Sequence, residues 1–170
     1  MKKLVVVMNG NGGVGKDTLC EFVSKRYQVK NISAIEPIKK IAAENGWKGE
    51  KDAKSRKFLS DLKQTFIAYN DLPYQYLCQE YEKFKETDEQ ILFVHIREGE
   101  EIQRFKESVR LPCVTILITR EQVSDISWGN ESDDHVNDYA YDYTYRNDKC
   151  LKDAEQDFVG LITQIYNSME

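Results

Sequence analysis

The residues best suited to chemistry lie together between positions 10 and 18, in the sequence GNGGVGKDT. Glycines let the backbone adopt positive φ and bring its N–H groups close to phosphate oxygens. A helix that starts directly after such a loop adds unpaired amides and the positive end of its dipole. Lys16 is placed to reach the same phosphates as a point charge. The predicted phosphate-binding residues are Gly10, Asn11, Gly12, Gly13, Val14, Gly15, Lys16, Asp17 and Thr18.

The stretch differs at one position from the phosphate-loop pattern G-x-x-x-x-G-K-[ST], because Asp17 stands where a hydroxyl is expected and Thr18 follows it. One interpretation is that Asp17 holds nucleotide-bound Mg²⁺, directly or through water, while Thr18 contacts a phosphate. A second is that the extra negative charge repels phosphate. A third is an ordinary strand-to-helix turn with a chance lysine. The first is favoured because the motif lies between an apolar run and a helical pattern.

The elements that must position this loop alternate between strand and helix periodicity along the whole chain. Apolar runs predict five strands, and amphipathic patterns with capping and turn residues predict the helices between them. The alternation predicts an α/β fold, a three-layer α/β/α arrangement with a five-stranded parallel sheet and ligands at the carboxyl ends of its strands. The predicted strands are 4–8, 29–33, 91–96, 112–118 and 142–146, and the predicted helices are 17–27, 37–44, 53–69, 76–85, 98–109 and about 151–165.

Two details of this assignment concern the middle of the chain. The helix 53–69 carries Phe58, Leu59, Leu62, Phe66 and Tyr69 on one side, which is expected to be buried. The dipeptide Leu72-Pro73 is expected to interrupt the helical pattern before residue 76. Together with Trp47 and Tyr74, the aromatic residues of this region are interpreted as mostly core, with one or two rings free to stack on a ligand.

Composition bounds the class of protein. The 170 residues suit one domain, and the four cysteines are scattered without metal-ligand spacing, so they are interpreted as reduced thiols. No apolar run approaches the ~20 residues that span a bilayer. The net charge of −5 argues against general nucleic-acid binding. We therefore expect a cytoplasmic protein without a nucleic-acid or membrane partner.

Charge is unevenly distributed along the chain. Residues 37–63 hold eight Lys or Arg and four Asp or Glu, whereas residues 125–142 hold six acids and no Lys or Arg. Arg56, Ser60 and Lys63 recur at helical spacing opposite the apolar side, so they could line a cleft for a second phosphate. A solvated helix face is an equally common explanation of such a run. Arg120, at the leading edge of the acidic stretch, is the cation placed to act there.

Several of these residues together resemble a known family. The segment GNGGVGKDT resembles the G-K-D-T phosphate loop of deoxynucleoside monophosphate kinases, within the adenylate-kinase-like group of P-loop NTPases. The resemblance covers most of the chain. It continues in Glu36-Pro37-Ile38-Lys39, in GWKGEKD (46–52) with Arg56 and Leu59, in Ile96-Arg97-Glu98 with Glu101, in Tyr141-Asp142-Tyr143 and in Asn147-Asp148.

The resemblance implies a single kinase domain over residues 1–170, with an acceptor-binding segment at about 34–88 and a lid at about 120–140. It implies ATP with Mg²⁺ as phosphoryl donor and a small phosphorylated acceptor, a nucleoside or deoxynucleoside monophosphate; a homodimer is compatible with it. The resemblance implies that residues 12–18 bind the ATP phosphates, with Lys16 catalytic, and that Asp17 and Thr18 hold the metal. It also implies that Arg56 and the catalytic Arg97 bind the acceptor phosphate. Arg120 is then catalytic at the lid, and Asn147 contacts the ATP base or ribose.

Alternatives remain open at this point. His95 stands two residues before Arg97, where relatives usually have an acid; it could be a proton-sensitive ligand, although a hydrogen-bonded core histidine is favoured. Arg97 could instead form a structural ion pair with Glu98 or Glu101. The acidic lid and His95 motivate a second function, a nucleotide-binding regulator or slow NTPase. A third is a P-loop kinase of another small metabolite.

Overall fold

A computed structural model describes residues 1–123 and 135–169 of the chain. Its centre is a five-stranded sheet in the order β2-β3-β1-β4-β5, and every strand pairing is parallel. The α/β prediction is therefore confirmed. The strands are β1 (Leu4–Asn9), β2 (Val29–Ser33), β3 (Ile91–His95), β4 (Cys113–Thr119) and β5 (Tyr143–Arg146).

Six α-helices connect or follow these strands in the described part of the chain. Two short 3-10 turns, Glu121–Val123 and Val136–Asp138, lie between β4 and β5. The helices are α1 (Lys16–Ser24), α2 (Glu36–Glu44), α3 (Ala53–Asn70), α4 (Leu72–Lys85), α5 (Gly99–Ser108) and α6 (Leu151–Ser168). None of them is both long and apolar enough to cross a membrane.

The sheet is covered on both faces, which explains why β1 is apolar without alternation. Alternate residues of a strand point to opposite faces. Leu4, Val6 and Met8 pack in one cluster with residues of α1 and α6, whereas Val5 and Val7 pack in another with residues of α4 and α5. The result is the predicted three-layer arrangement.

One prediction about the middle of the chain is wrong. The apolar side of α3 is not a buried face: Phe58 and Tyr69 are 45% and 82% exposed, and Lys63 is the buried residue of this helix. The expected interruption before residue 76 is present, since α3 ends at Asn70 and α4 begins at Leu72, but Pro73 lies in the first turn of α4, where its missing N–H costs nothing. Asp71, with φ of 56°, makes the turn between α3 and α4.

The carboxyl ends of the three central strands meet at one edge of the sheet. Met8 is level with His95 of β3, and Asn9 is level with Leu117 of β4. The connection after β1 runs towards β2, whereas the connection after its neighbour β3 runs towards β4 on the opposite side of the sheet. Open α/β sheets bind ligands at the point where two neighbouring strands diverge in this way.

Candidate functional site

The loop after β1 has the backbone geometry that its glycines predict. Gly13 and Gly15 have φ of 85° and 91°, and Gly10 has φ of 150°. A Cβ at Gly10 would lie 2.4 Å from the Ile118 carbonyl oxygen, and one at Gly15 would lie 2.7 Å from Nδ2 of Asn147. These two positions therefore require glycine both for backbone conformation and for space.

The start of α1 presents amides that side chains do not cap. Gly15 is the N-cap residue, and no side-chain hydrogen bond caps this helix end. The first-turn N–H groups of a helix have no partner within the helix, and together with the helix dipole they favour an anion. This geometry suits a phosphate group beside residues 13–18.

Lys16 is folded back over the loop. Its Nζ donates to the carbonyl oxygens of Gly10, at 2.6 Å, and Asn11, at 3.2 Å. Its pKa is lowered to about 8, chiefly by burial and also by the positive charge of Arg97, while the carboxylate of Asp17 partly offsets both. A lysine held in this environment gains from a bound polyphosphate, because the anion compensates its poorly solvated charge.

Asp17 and Thr18 supply oxygen atoms in the first turn of α1, with Asp17 exposed and Thr18 half-buried. Mg²⁺ prefers oxygen ligands and is usually held by one or two protein oxygens together with substrate phosphates. The described residues contain no group of three or more His, Cys, Asp or Glu side chains arranged for a metal ion. The Asp17 carboxylate and the Thr18 hydroxyl are oxygen donors of the kind that fit Mg²⁺ bound together with a nucleotide.

A second cationic group lies beside the loop. Arg97 follows β3, and burial lowers its pKa; the Glu98 carboxylate opposes this effect, while the positive charge of Arg56 adds to it. Arg56, in the first turn of α3, donates through Nε to the Lys51 carbonyl oxygen at 3.2 Å. Arg56 therefore adds positive charge to the surroundings of Arg97, and guanidinium groups are suited to binding anions.

Lys63 does not belong to the proposed second phosphate site or to a solvated helix face. Its side chain is buried, and Nζ lies 2.6 Å from Glu98 and 3.1 Å from Glu101. Burial, followed by the hydrogen bond with Glu98, raises the pKa of Glu101 to about 7, while Lys63 works in the opposite direction. This cluster joins α3 to the start of α5, directly beside Arg97.

His95 is a hydrogen-bonded histidine of the sheet edge. Its Nε2 lies 2.7 Å from Oδ1 of Asn31 on β2 and 3.8 Å from Sγ of Cys20 on α1. Burial lowers the pKa of His95 to about 4; Asp17 opposes the shift, and Lys16 adds to it. The contact with Asn31 agrees with the favoured interpretation of His95 as a hydrogen-bonded histidine.

Arg120 and Asn147 lie on the β4–β5 side of the loop. Asn147 donates from Nδ2 to the Val14 carbonyl oxygen at 2.8 Å, which places it against the phosphate loop. Arg120 lines a cavity of about 40 Å³ together with Asn11 and Val136. Oδ1 of Asn11 is buried and has no hydrogen-bond partner among the described residues. Residues 124–134 of the predicted lid lie outside the described residues.

One residue of the site, Asn9, was missed in the sequence. Asn9 ends the apolar run of β1 and is 1% exposed. Its Nδ2 donates to the carbonyl oxygen of Arg97 at 2.7 Å and to the hydroxyl of Tyr141 at 2.8 Å, while its Oδ1 accepts from the Gly10 amide at 2.8 Å. A polar residue closing an otherwise apolar buried strand is a signal that could have identified it.

A larger depression, of about 700 Å³, lies elsewhere on the surface. It is an open groove along α6, between Lys149 and Gln164, and it shares no residue with the phosphate loop. The edge of the sheet is a better candidate for the functional site than this groove, because the loop amides, Lys16, Arg56 and Arg97 all belong to it.

The fold and the loop define the class: an α/β/α protein with a phosphate-binding loop after its first, central strand. No known family pattern and no curated protein matches the chain.

Solved structures share this fold at low sequence identity. A proposed kinase from Chloroflexus aurantiacus is 14% identical with a TM-score of 0.59, covering 98% of this chain and 97% of that one. Shikimate kinase from Aquifex aeolicus is 10% identical with a TM-score of 0.53, covering 97% and 98%. A sugar kinase from Janibacter is 11% identical with a TM-score of 0.54, covering 98% and 95%. The chain therefore has the fold of P-loop kinases over nearly its whole length.

Proposed function

We propose that the protein transfers the γ-phosphoryl group of ATP to a small phosphorylated acceptor, a nucleoside or deoxynucleoside monophosphate, as one kinase domain acting in the cytoplasm. The observation that carries this proposal is that two cationic residues, Lys16 and Arg97, lie at the same edge of the sheet. Lys16 lies over the phosphate loop, and the carbonyl group of Arg97 is hydrogen-bonded to Asn9, the residue directly before the loop. Two anionic groups held side by side are what such a transfer requires.

On the donor side, the amides of residues 12–18 and Lys16 bind the ATP phosphates. Asp17 and Thr18 would hold Mg²⁺, and the bound ion would offset charge on the ATP phosphates. Asn147, seated on the Val14 carbonyl group, contacts the ribose or base. Each of these groups binds and orients ATP before the reaction begins.

On the acceptor side, the planar guanidinium groups of Arg56 and Arg97 bind the monophosphate. The acceptor oxygen then attacks the γ-phosphorus, the bond to the β–γ bridging oxygen breaks, and ADP leaves. Lys16, Arg97 and Arg120 stabilise the charge spread over the transferring group. The protein contributes alignment and electrostatic stabilisation, and it needs no covalent intermediate.

A specific observation favours a second candidate, a kinase of another small metabolite. The solved structures with this fold include a shikimate kinase and a sugar kinase. Guanidinium groups also bind carboxylates, so an acidic acceptor without a phosphate would fit the same pair.

The test is an acceptor panel. Purified protein is incubated with ATP, Mg²⁺ and, in turn, each nucleoside and deoxynucleoside monophosphate, then sugars and carboxylated metabolites, and acceptor-dependent ADP is measured. We expect turnover with at least one monophosphate. ATP binding with acceptor-independent hydrolysis or no turnover across the panel would instead indicate a regulator or slow NTPase.

A matched pair of variants assigns the acceptor site. Arg97→Gln should lower kcat/KM for the acceptor by about 10- to 100-fold, the size expected for a lost charge-assisted hydrogen bond, while binding of an ATP analogue is retained. Arg104→Gln is the control, since Arg104 is an exposed residue of α5 that lies over the ring of Tyr74. Equal kcat/KM in both variants would remove Arg97 from the acceptor site.

A further inference from the structure

Asn9 is an unusual residue for the end of a central strand, because its whole amide group is used inside the protein. It is buried, its oxygen accepts from the Gly10 amide, and its nitrogen donates to the Arg97 carbonyl oxygen and to the Tyr141 hydroxyl. Buried polar groups that are fully hydrogen-bonded fix their neighbours in one arrangement. Here the neighbours belong to three separate segments of the chain.

The Arg97 carbonyl lies where the strand ladder ends. β3 stops at His95, and the amide of Ile96 still donates to the Met8 carbonyl oxygen at 3.3 Å. Glu98 is already the N-cap residue of α5. The side chain of Asn9 thus adds one more hydrogen bond between β1 and the segment after β3, at a point where the backbone ladder has ended.

Tyr141 holds Asn9 in this orientation. Its hydroxyl accepts from Asn9 and donates to the Val136 carbonyl oxygen at 2.6 Å. Its ring packs edge-on against Tyr139, with centroids 5.1 Å apart. A Cβ on Gly99, at the start of α5, would lie 3.3 Å from the Tyr139 ring, so this tyrosine rests on the segment that follows Arg97.

We propose that Asn9 and Tyr141 are positioning residues that fix Arg97 relative to the phosphate loop, so that occupation of the loop also sets the position of the acceptor arginine. This inference rests on the proposed function for its consequence in catalysis. Its structural content is independent of the acceptor. The Gly10 amide and the Arg97 carbonyl group are bound to one side-chain amide, and neither can shift without breaking its hydrogen bond to Asn9.

The test compares Tyr141→Phe with Tyr139→Phe. Both variants keep the ring and lose one hydroxyl, but the Tyr139 hydroxyl donates to Gln103 at 2.8 Å and takes no part in the Asn9 network. Thermal unfolding first establishes that both variants are folded. Tyr141→Phe should lower kcat/KM for the acceptor by about 3- to 10-fold, as expected for one net hydrogen bond, with affinity for an ATP analogue retained. Tyr139→Phe should match the wild type.

A second measurement separates positioning from simple stability. Hydrogen–deuterium exchange is followed in the peptide that contains Arg97 and Gly99, with and without a non-hydrolysable ATP analogue. The analogue should slow exchange in this peptide in wild type and Tyr139→Phe but not in Tyr141→Phe. Equal protection in all three proteins would overturn the proposal, as would equal kcat/KM in the two variants.

Asn9→Asp provides an independent variant of nearly the same shape. The carboxylate still accepts from the Gly10 amide but cannot donate to the Arg97 carbonyl, so it should abolish the analogue-dependent protection of the Arg97 peptide. Retained protection in this variant would contradict the proposal. If the wild type shows no acceptor-dependent turnover, the proposed function fails, whereas the exchange experiment still decides whether Asn9 and Tyr141 position Arg97.

Discussion

Replacing Glu101 with glutamine should stabilise the folded protein above pH 7. Glu101 shares Lys63 with Glu98, so two carboxylates and one ammonium group lie together with limited access to water. Two carboxylates that share a site cannot both ionise at their ordinary pKa. Burial and the contact with Glu98 accordingly raise the pKa of Glu101 from 4.5 to about 7. Glutamine resembles the neutral acid in shape and carries no charge.

The sign and size of the effect follow from the linkage between protonation and folding. The unfolded chain ionises Glu101 near pH 4.5, whereas the folded protein keeps it protonated up to about pH 7. The neutral carboxyl group of Glu101 therefore makes its full favourable contribution to the free energy of unfolding below pH 4.5. This contribution is lost as the pH rises through 7. At about 1.4 kcal/mol for each pH unit, the ionised group costs up to about 3 kcal/mol at pH 8.

Urea unfolding of the wild type and Glu101→Gln at pH 8, 6 and 4.5 measures this difference. At pH 8 the midpoint should rise by about 1 M or more, given the usual slope for a protein of this size, and the gain should shrink towards zero at pH 4.5. Glu100→Gln is the control, because Glu100 is an exposed acid in the same first turn of α5. A variant that is less stable than wild type at pH 8 would refute the argument.

Three further predictions concern the loop and the core. Lys16→Ala should abolish phosphoryl transfer while the protein still folds, because the substitution removes a ligand contact and no core packing; unchanged turnover would exclude Lys16 from the mechanism. Gly15→Ala should abolish binding of an ATP analogue in calorimetry, since φ is 91° and the new Cβ would lie 2.7 Å from Asn147; wild-type affinity would contradict this. Phe158→Ala should lower the free energy of unfolding in urea by about 3–5 kcal/mol, because this ring is fully buried between α6 and the sheet, and a loss under 1 kcal/mol would indicate that the site collapses around the cavity.

The features that the sequence predicts well are those set by nearby residues. The run from Leu4 to Met8 forms β1 because both sides of the strand are covered, and the glycines at 10 and 15 adopt the backbone angles that the loop requires. The strand–loop–helix order of residues 4–24 is a local property, so periodicity and residue type are enough to place it.

The interpretation of α3 fails because amphipathicity does not state which face is buried. Phe58 and Tyr69 suggest an apolar face, yet the helix turns Lys63 inwards. The partners of Lys63 lie 35 and 38 residues later in the chain, at the start of α5. The same limitation applies to Asn9, whose partners Arg97 and Tyr141 are 88 and 132 residues away. Residue type is visible in the sequence, but a distant partner is not.

The burial of Lys63 also changes the electrostatics of the acceptor side. Counted along the sequence, residues 37–63 offer eight cations to a second phosphate. In the structure, Lys63 is bound by two acids and contributes no surplus positive charge there. The proposed acceptor site keeps Arg56 and Arg97 as its cations. Two buried contacts lie beside it: the Lys63 cluster, which joins α3 to α5, and Asn9, which joins the phosphate loop to Arg97.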